Sequence, residues 1–295
     1  MIDKKGIILF LFLVFALGYP AQWAIFTFGF MTFDSPTAMD QVFFIAVLWI
    51  PALAAGVTRL FFPVDASASS SWWPLPLVGV LRITLVVPLV ALLGSGINLL
   101  LGGGGPDWRL GTVINQLDTS NLSPEVLAVL PTILLVAIVL GGAFLGTTIF
   151  AAIFFGGELG WRGALQSRLS GLGAIPAAIV TGFFWALWFL PSLHAWFLFT
   201  GKPYLLPGFM AQVIILAMVV SYIAGQFQQR QGHLGLCAVF VGMLYSYAEV
   251  WDYLFPVTNP PWSGVAGWIS IALWGLIAVF VPRLLAAKAP EAKES

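Results

Sequence analysis

The stretch VLAVLPTILLVAIVLGGAFLGTTIFAAIFF, residues 126–155, contains no charged side chain. A helix needs about 20 mostly apolar residues to cross roughly 30 Å of hydrocarbon. A buried strand or a core helix of a soluble domain is usually much shorter. Directly before the stretch, Ser123-Pro124 is typical of a helix start, with serine as the N-cap and proline at the first helical position. Residues 126–155 therefore predict a transmembrane helix.

Other apolar stretches of similar length occur along the whole chain, separated by loop signals such as Gly102-Gly103-Gly104-Gly105-Pro106. Together they predict an all-α, polytopic membrane protein with eight transmembrane helices. The predicted spans are residues 7–30, 38–62, 75–101, 126–155, 174–200, 206–227, 234–255 and 264–285.

The composition excludes several classes of protein. Charged residues make up 8% of the chain and hydrophobic residues 60%, whereas soluble domains carry roughly 25% charged residues. The lipid bilayer is therefore the expected surroundings. With 12 basic and 12 acidic residues, the charge gives no sign of a nucleic-acid partner. One cysteine, Cys237, and two histidines, His194 and His233, argue against a disulfide, a metal site or a cofactor held by such ligands.

Basic residues predict the orientation, because lysine and arginine are retained on the cytoplasmic side. If the N-terminus is cytoplasmic, only Arg109 and Lys202 of the 12 basic residues fall on the outer side. We therefore expect a multi-pass protein of the cell membrane with both termini in the cytoplasm. The first apolar run also has small residues, Ala16 and Gly18, in the spacing of a signal-peptide cleavage site. It continues to Phe30, however, which favours an uncleaved first helix.

Ionisable residues within membrane segments are costly, so each is a candidate functional residue. The sharpest case is Glu158 and Arg162, which stand four positions apart and therefore on one helical face. One interpretation is an ion pair that anchors the end of the helix at the membrane interface. The other is a functional site.

The sequence ELGWRG at residues 158–163 resembles the first signature of the CAAX prenyl endopeptidase type II and bacteriocin-processing family, also called CPBP or Abi. Members of the family usually have Glu-Glu-x-x-x-Arg here. The sequence WALWFLP at residues 185–191 is similar to the second signature, commonly Trp-Ala-Leu-Trp-His-Leu-Pro. The sequence WIPALAA at residues 49–55 is similar to a stretch often found in the second span.

The resemblance implies one transmembrane domain over residues 1–295 with a CAAX-endopeptidase-like fold, its core motifs at about residues 126–255. It also implies an intramembrane endopeptidase that requires no metal. In the family, the first glutamate of the pair and the histidine of the second signature activate a water molecule. A later His-x-x-x-Asn motif stabilises the developing oxyanion.

The chain departs from the family at each of these positions. Gly157 replaces the first glutamate, Phe189 replaces the histidine, and Val241 and Tyr245 stand near the place of His-x-x-x-Asn. Glu158 and Arg162 are the retained half of the first signature and the candidate catalytic residues. The residues expected to line the family cavity are Gly157, Trp161, Trp185, Trp188, Phe189, Val241 and Tyr245.

Other ionisable groups are less suited to replace the missing ones. His194 follows Pro191, which should break or kink its helix. His233 is expected at the start of the seventh span, four residues before Cys237. Glu249 and Asp252 are expected to be solvated near the outer interface. Residues 164–172 predict a short amphipathic connector along the cytoplasmic interface.

The leading hypothesis for function is a proteolytically impaired family member that binds a membrane peptide, a prenylated or otherwise lipidated peptide, or a partner membrane helix. The alternative is an active endopeptidase that uses rearranged groups around Glu158. A small-solute transporter is a third class, but the sequence shows no inverted repeat and no polar path across the bilayer.

Overall fold

The computed structural model of the chain describes residues 2–27, 38–63, 71–256 and 261–285. These residues are helical throughout, apart from connecting turns and an isolated β-bridge between Ser71 and His233. The predicted all-α class is confirmed. The helices are α1 (Lys4–Thr27), α2 (Ala38–Leu48), α3 (Ile50–Phe61), α4 (Leu77–Leu100), α5 (Gly111–Ile114), α6 (Pro124–Leu145), α7 (Ala151–Gly160), α8 (Ala174–Trp188), α9 (Leu190–Phe199), α10 (Leu206–Gln231), α11 (Leu234–Leu254) and α12 (Trp268–Leu284).

Two π-helical turns extend the helices in the middle of the chain. Gly146–Phe150 joins α6 to α7, and Trp161–Gln166 follows α7. The helical run therefore extends from Pro124 to Gln166, beyond the predicted span of residues 126–155. Its start confirms the predicted N-cap, because the hydroxyl of Ser123 accepts a hydrogen bond from the Val126 amide at 3.4 Å.

Six helical stretches among the described residues are long and apolar enough to cross a membrane. The bent pair α8 and α9 raises this number to seven if it forms one span. The eighth predicted span, residues 264–285, contains α12, which at 17 residues is shorter than the six. Long apolar helices are therefore confirmed, whereas the count of eight spans stays a prediction.

Apolar side chains on these helices face outward. Leu85, Leu100 and Val279 are 70%, 86% and 65% exposed. A soluble protein rarely leaves large contiguous apolar patches in contact with water. Such surfaces are compatible with a lipid environment, in which apolar side chains are solvated by hydrocarbon.

The chain forms two compact units. The first consists of Met1–Leu75, Phe155–Cys237 and Trp274–Ser295. In this unit α8 packs tightly on α10, because a Cβ atom at Gly182 would lie only 2.6 Å from the backbone of Ala217. Small residues allow such close approach between helices in membranes.

The second unit consists of Pro76–Phe154 and Ala238–Leu273. Its helices are joined by polar contacts across apolar surfaces. The hydroxyl of Ser246 donates to the carbonyl of Gly142 at 2.7 Å, and the hydroxyl of Tyr247 donates to the carbonyl of Val139 at 2.9 Å. These bonds hold α11 against α6, as interhelical hydrogen bonds commonly do in membrane proteins.

The predicted amphipathic connector at residues 164–172 is wrong for most of its length. Its first three residues, Ala164, Leu165 and Gln166, are buried within a π-helical turn. Arg168 is also buried, and its guanidinium donates hydrogen bonds to Oδ2 of Asp3 and to the carbonyl of Phe62. Polar residues that appear suited to an interface are thus paired in the interior.

The orientation can be tested by cysteine labelling, because the native Cys237 is buried and should react slowly. Gln116 and Lys4 are both exposed. In cells that express the chain, we expect Gln116→Cys to react with a membrane-impermeant maleimide and Lys4→Cys to react only after permeabilisation. A tag fused after Ser295 should also be reachable only after permeabilisation. External labelling of Lys4→Cys with a protected Gln116→Cys would contradict the predicted topology.

Candidate functional site

A buried ion pair lies where α7 passes into its π-helical turn. Nη1 of Arg162 donates to Oε1 of Glu158 at 2.7 Å, and the two side chains are 0% and 2% exposed. The ion pair predicted from the spacing is therefore confirmed. It does not lie at a solvated helix end, because the helix continues to Gln166 and both side chains are enclosed.

Two further helices of the first unit contact the guanidinium of Arg162. Nη2 donates to the hydroxyl of Ser221 on α10 at 3.1 Å. The guanidinium carbon lies 4.2 Å from the ring centroid of Trp185 on α8. A cation over an indole face is attracted by the negative face of the ring, more strongly where water is excluded. Arg162 therefore joins its own turn to α8 and α10.

The polar network around this pair retains unused hydrogen-bonding capacity. Nε2 of Gln166 donates to the carbonyl of Ser221 at 3.1 Å. Within the described residues, Oε2 of Glu158, Nε of Arg162 and Oε1 of Gln166 are buried and have no hydrogen-bond partner. Most buried polar atoms in proteins have one, so this cluster retains capacity for further hydrogen bonds.

An aromatic cluster contains several of the residues predicted to line the cavity. The rings of Trp161 and Trp188 are 6.2 Å apart, and Phe189 lies 5.0 Å from Trp188 and 6.2 Å from Trp185, measured between centroids. Trp161 and Trp188 are each 1% exposed, whereas Trp185 and Phe189 are half-buried. Phe189 therefore has two aromatic neighbours, Trp185 and Trp188.

Gly157 is half-buried on α7, next to Glu158. A Cβ atom added there would lie 3.8 Å from the carbonyl of Leu48 and 3.9 Å from Cδ1 of Trp161. Both are ordinary van der Waals distances. Packing around Cβ therefore does not require a glycine at residue 157.

The helix break beside Phe189 was predicted from Pro191 and is confirmed. Helix α8 ends at Trp188, α9 starts at Leu190, and their axes are bent by 42°. Because proline has no N–H, the carbonyl of Leu187 lacks its usual helical donor. The hydroxyl of Tyr19 on α1 donates to this carbonyl at 2.8 Å.

Gln22, also on α1, forms hydrogen bonds with residues on both sides of the same break. Its Nε2 donates to the carbonyl of Trp188 at 2.8 Å, and its Oε1 accepts from the hydroxyl of Ser192 at 2.6 Å. Sequence reasoning missed Tyr19 and Gln22. The available signal was two polar side chains three positions apart in an otherwise apolar helix.

The histidines make other contacts. The His194 ring lies 5.5 Å from the Trp23 ring, measured between centroids. His233 precedes α11, as predicted, and its carbonyl is 3.7 Å from Sγ of Cys237. Sγ of Cys237 also lies 3.1 Å from the carbonyl of Ala224. None of these contacts brings an imidazole to the carboxylate of Glu158.

Val241 and Tyr245 belong to the second unit. Val241 is buried, and the Tyr245 ring packs on Phe150 and Phe154 at centroid distances of 5.1 and 4.9 Å. Their predicted role in lining the cavity stays a prediction.

Two acidic residues on α11, Glu249 and Asp252, are exposed, and their location near the outer interface stays a prediction. Among the residues that the structure describes, no three His, Cys, Asp or Glu side chains are grouped so that they could hold a metal ion.

A comparison of the chain with protein-family models found no match, and no curated protein matches its sequence.

We expect loss of one partner of the buried ion pair to be strongly destabilising, because the other charge remains buried. Glu158→Gln or Arg162→Met should each lower the free energy of unfolding by about 3–5 kcal/mol. The double variant should recover part of this loss. Thermal unfolding in detergent provides the measurement, with Arg109→Gln at an exposed residue as the control. Full stability in both single variants would contradict a structural role for the pair.

We also expect Tyr19 and Gln22 to stabilise the broken helix. Tyr19→Phe removes a hydrogen bond and should cost about 1 kcal/mol. Gln22→Leu should cost more, because it leaves both the Trp188 carbonyl and the Ser192 hydroxyl without this partner. Tyr204 is 74% exposed, so Tyr204→Phe should change stability by less than about 0.5 kcal/mol. Equal effects of Tyr19→Phe and Tyr204→Phe would refute this assignment.

Proposed function

We propose that the chain is a CAAX-endopeptidase-like protein of the cell membrane that binds an apolar peptide ligand without hydrolysing it. The ligand is a membrane peptide, a lipidated peptide or a partner helix. The observation that carries this proposal is the buried pairing of Glu158 with Arg162 at 2.7 Å. The retained glutamate of the first signature is thereby engaged by its own arginine.

Hydrolysis needs a group that activates water, and the two positions that would supply it carry no base. Gly157 has no side chain, and Phe189 has no proton acceptor. Glu158 is the neighbour of Gly157, but successive helical residues differ by about 100° in direction. The π-helical turn that changes the local pitch begins at Trp161, after both positions. Glu158 therefore does not take over the direction of residue 157.

The surroundings of Phe189 suit an apolar ligand better than a polar one. Its ring contacts Trp185 and Trp188, and both Phe189 and Trp185 remain partly exposed. Binding sites for small molecules are lined mostly by hydrophobic and aromatic side chains with few polar groups. A peptide side chain or a prenyl chain has the complementary chemistry.

An active endopeptidase is the second candidate, and one observation favours it. Oε2 of Glu158 is buried without a hydrogen-bond partner among the described residues. A carboxylate oxygen with free lone pairs is able to accept a proton from water. The Arg162 contact engages the other oxygen, Oε1.

Purified protein distinguishes the two candidates when it is incubated with a fluorescent prenylated peptide. We expect saturable binding by fluorescence anisotropy and no cleavage by mass spectrometry. Each missing catalytic group typically supplies a factor of roughly 10²–10⁴ in rate, although such factors are not additive. Gly157→Glu combined with Phe189→His should give traces of cleavage at most, because the third signature is still missing.

The control for binding is Phe189→Ala, which should weaken it, alongside exposed Tyr204→Phe, which should not. Multiple-turnover cleavage by the unchanged protein that is abolished in a folded Glu158→Ala variant would overturn the proposal and establish the second candidate. Absence of both binding and cleavage would reject both.

A further inference from the structure

An apolar cleft of about 410 Å³ opens on the first unit between the start of α1 and the end of α3. It is lined by Lys5, Ile8, Leu9, Phe12 and Phe62. Ile8 and Phe12 are 67% and 65% exposed. The volume lies within the range of about 300–1,000 Å³ that is common for ligand sites. Lys5 is the one charged residue in this lining.

Positive charge collects at the edge of the cleft. Lys5 and Arg59 are exposed, and in the described part of the chain neither forms an ion pair. Asp3 does not neutralise them, because its Oδ2 accepts from Nη1 of Arg168 at 3.1 Å. Nη2 of the same arginine donates to the carbonyl of Phe62, in the cleft wall, at 2.8 Å.

Arg59 lies in the last turn of α3, three residues before Phe62 in the cleft wall. Burial lowers the pKa of the Arg168 guanidinium, the carboxylate of Asp3 opposes this effect, and the positive charge of Arg59 adds to the lowering. Arg59 is thus at the same end of α3 as the Phe62 carbonyl to which Arg168 donates. With Asp3 engaged by Arg168, Lys5 and Arg59 leave an excess of positive charge among the described residues at this end of α3.

An apolar wall with a cationic edge has the complementary chemistry of a phospholipid. In the predicted orientation this edge lies at the cytoplasmic side, where leaflets carry anionic lipids. Basic pockets between transmembrane helices on that side bind anionic headgroups. A soluble anion would use the cations alone and would leave the apolar wall uncovered.

We propose that the cleft between α1 and α3 binds an anionic phospholipid, with an acyl chain along Ile8 and Phe12 and its phosphate at Lys5 and Arg59. This site does not depend on whether the protein hydrolyses peptides.

Native mass spectrometry of the protein in detergent tests which lipid headgroup the cleft prefers. Phosphatidylglycerol and phosphatidylcholine with identical acyl chains are offered in equal amounts. We expect preferential retention of phosphatidylglycerol and a loss of about tenfold or more in Lys5→Gln/Arg59→Gln. The matched control is Arg109→Gln/Lys202→Gln, which removes the same charge from exposed loop residues and should retain the lipid.

Photo-crosslinking tests the position of the lipid's acyl chain in the cleft. Phosphatidylglycerol with a diazirine on one acyl chain should crosslink to the segment containing Ile8 and Phe12 or to Phe62. Glycerol phosphate in solution should not displace the lipid. The Lys5→Gln/Arg59→Gln variant should keep the unfolding temperature of the unchanged protein, because both side chains are exposed.

Several results would overturn the proposal. These are equal retention of phosphatidylcholine, equal loss in the control variant, displacement by glycerol phosphate, or crosslinks spread over other exposed apolar residues such as Leu100 and Val279. If the double variant has a lower unfolding temperature, Phe12→Ala provides a second test of the cleft, because this variant keeps both cations. It should weaken crosslinking, and unchanged crosslinking would also count against the cleft.

Discussion

The buried guanidinium of Arg162 is the constraint around which the first unit is arranged. Removing a cation from water costs several kcal/mol even after relaxation, unless nearby groups neutralise it and accept its hydrogen bonds. Glu158, Ser221 and Trp185 provide a charge, a hydroxyl and an aromatic face. Because these groups come from α7, α10 and α8, the requirement to solvate one side chain determines how three helices meet.

A second polar requirement governs the broken helix. Pro191 leaves a carbonyl without a donor, and a bent helix in lipid cannot obtain one from water. Tyr19 and Gln22 provide donors from α1, at Leu187 and at Trp188. The break is thus possible because another helix completes it. In both places, apolar packing permits many arrangements, and the unsatisfied polar groups select one of them.

The sequence predicts features that depend on local pattern. Apolar stretches predict the helices, the spacing of Glu158 and Arg162 predicts their contact, and Pro191 predicts the break. It does not predict where distant polar groups find partners. Arg168 looks suited to an interface when read along its own segment, yet it binds Asp3 and the Phe62 carbonyl, far away in sequence. Helix length is also decided by packing and capping, which is why the 22-residue span predicted at residues 264–285 contains a helix, α12, of only 17 residues.

Helix α1 contacts several separate parts of the first unit. At its start, Asp3 caps the helix by accepting from the amide of Gly6 at 2.9 Å and also holds Arg168. In its middle, the ring of Phe10 lies 5.7 Å from Trp161. Near its end, Tyr19 supports the break beside Phe189. Since a helix is a stiff element with a fixed rise of 1.5 Å per residue, these contacts have fixed spacing along it. The cleft proposed to bind lipid, the aromatic cluster and the broken helix therefore share one support within the first unit. A substitution that displaces α1 should affect all of them together.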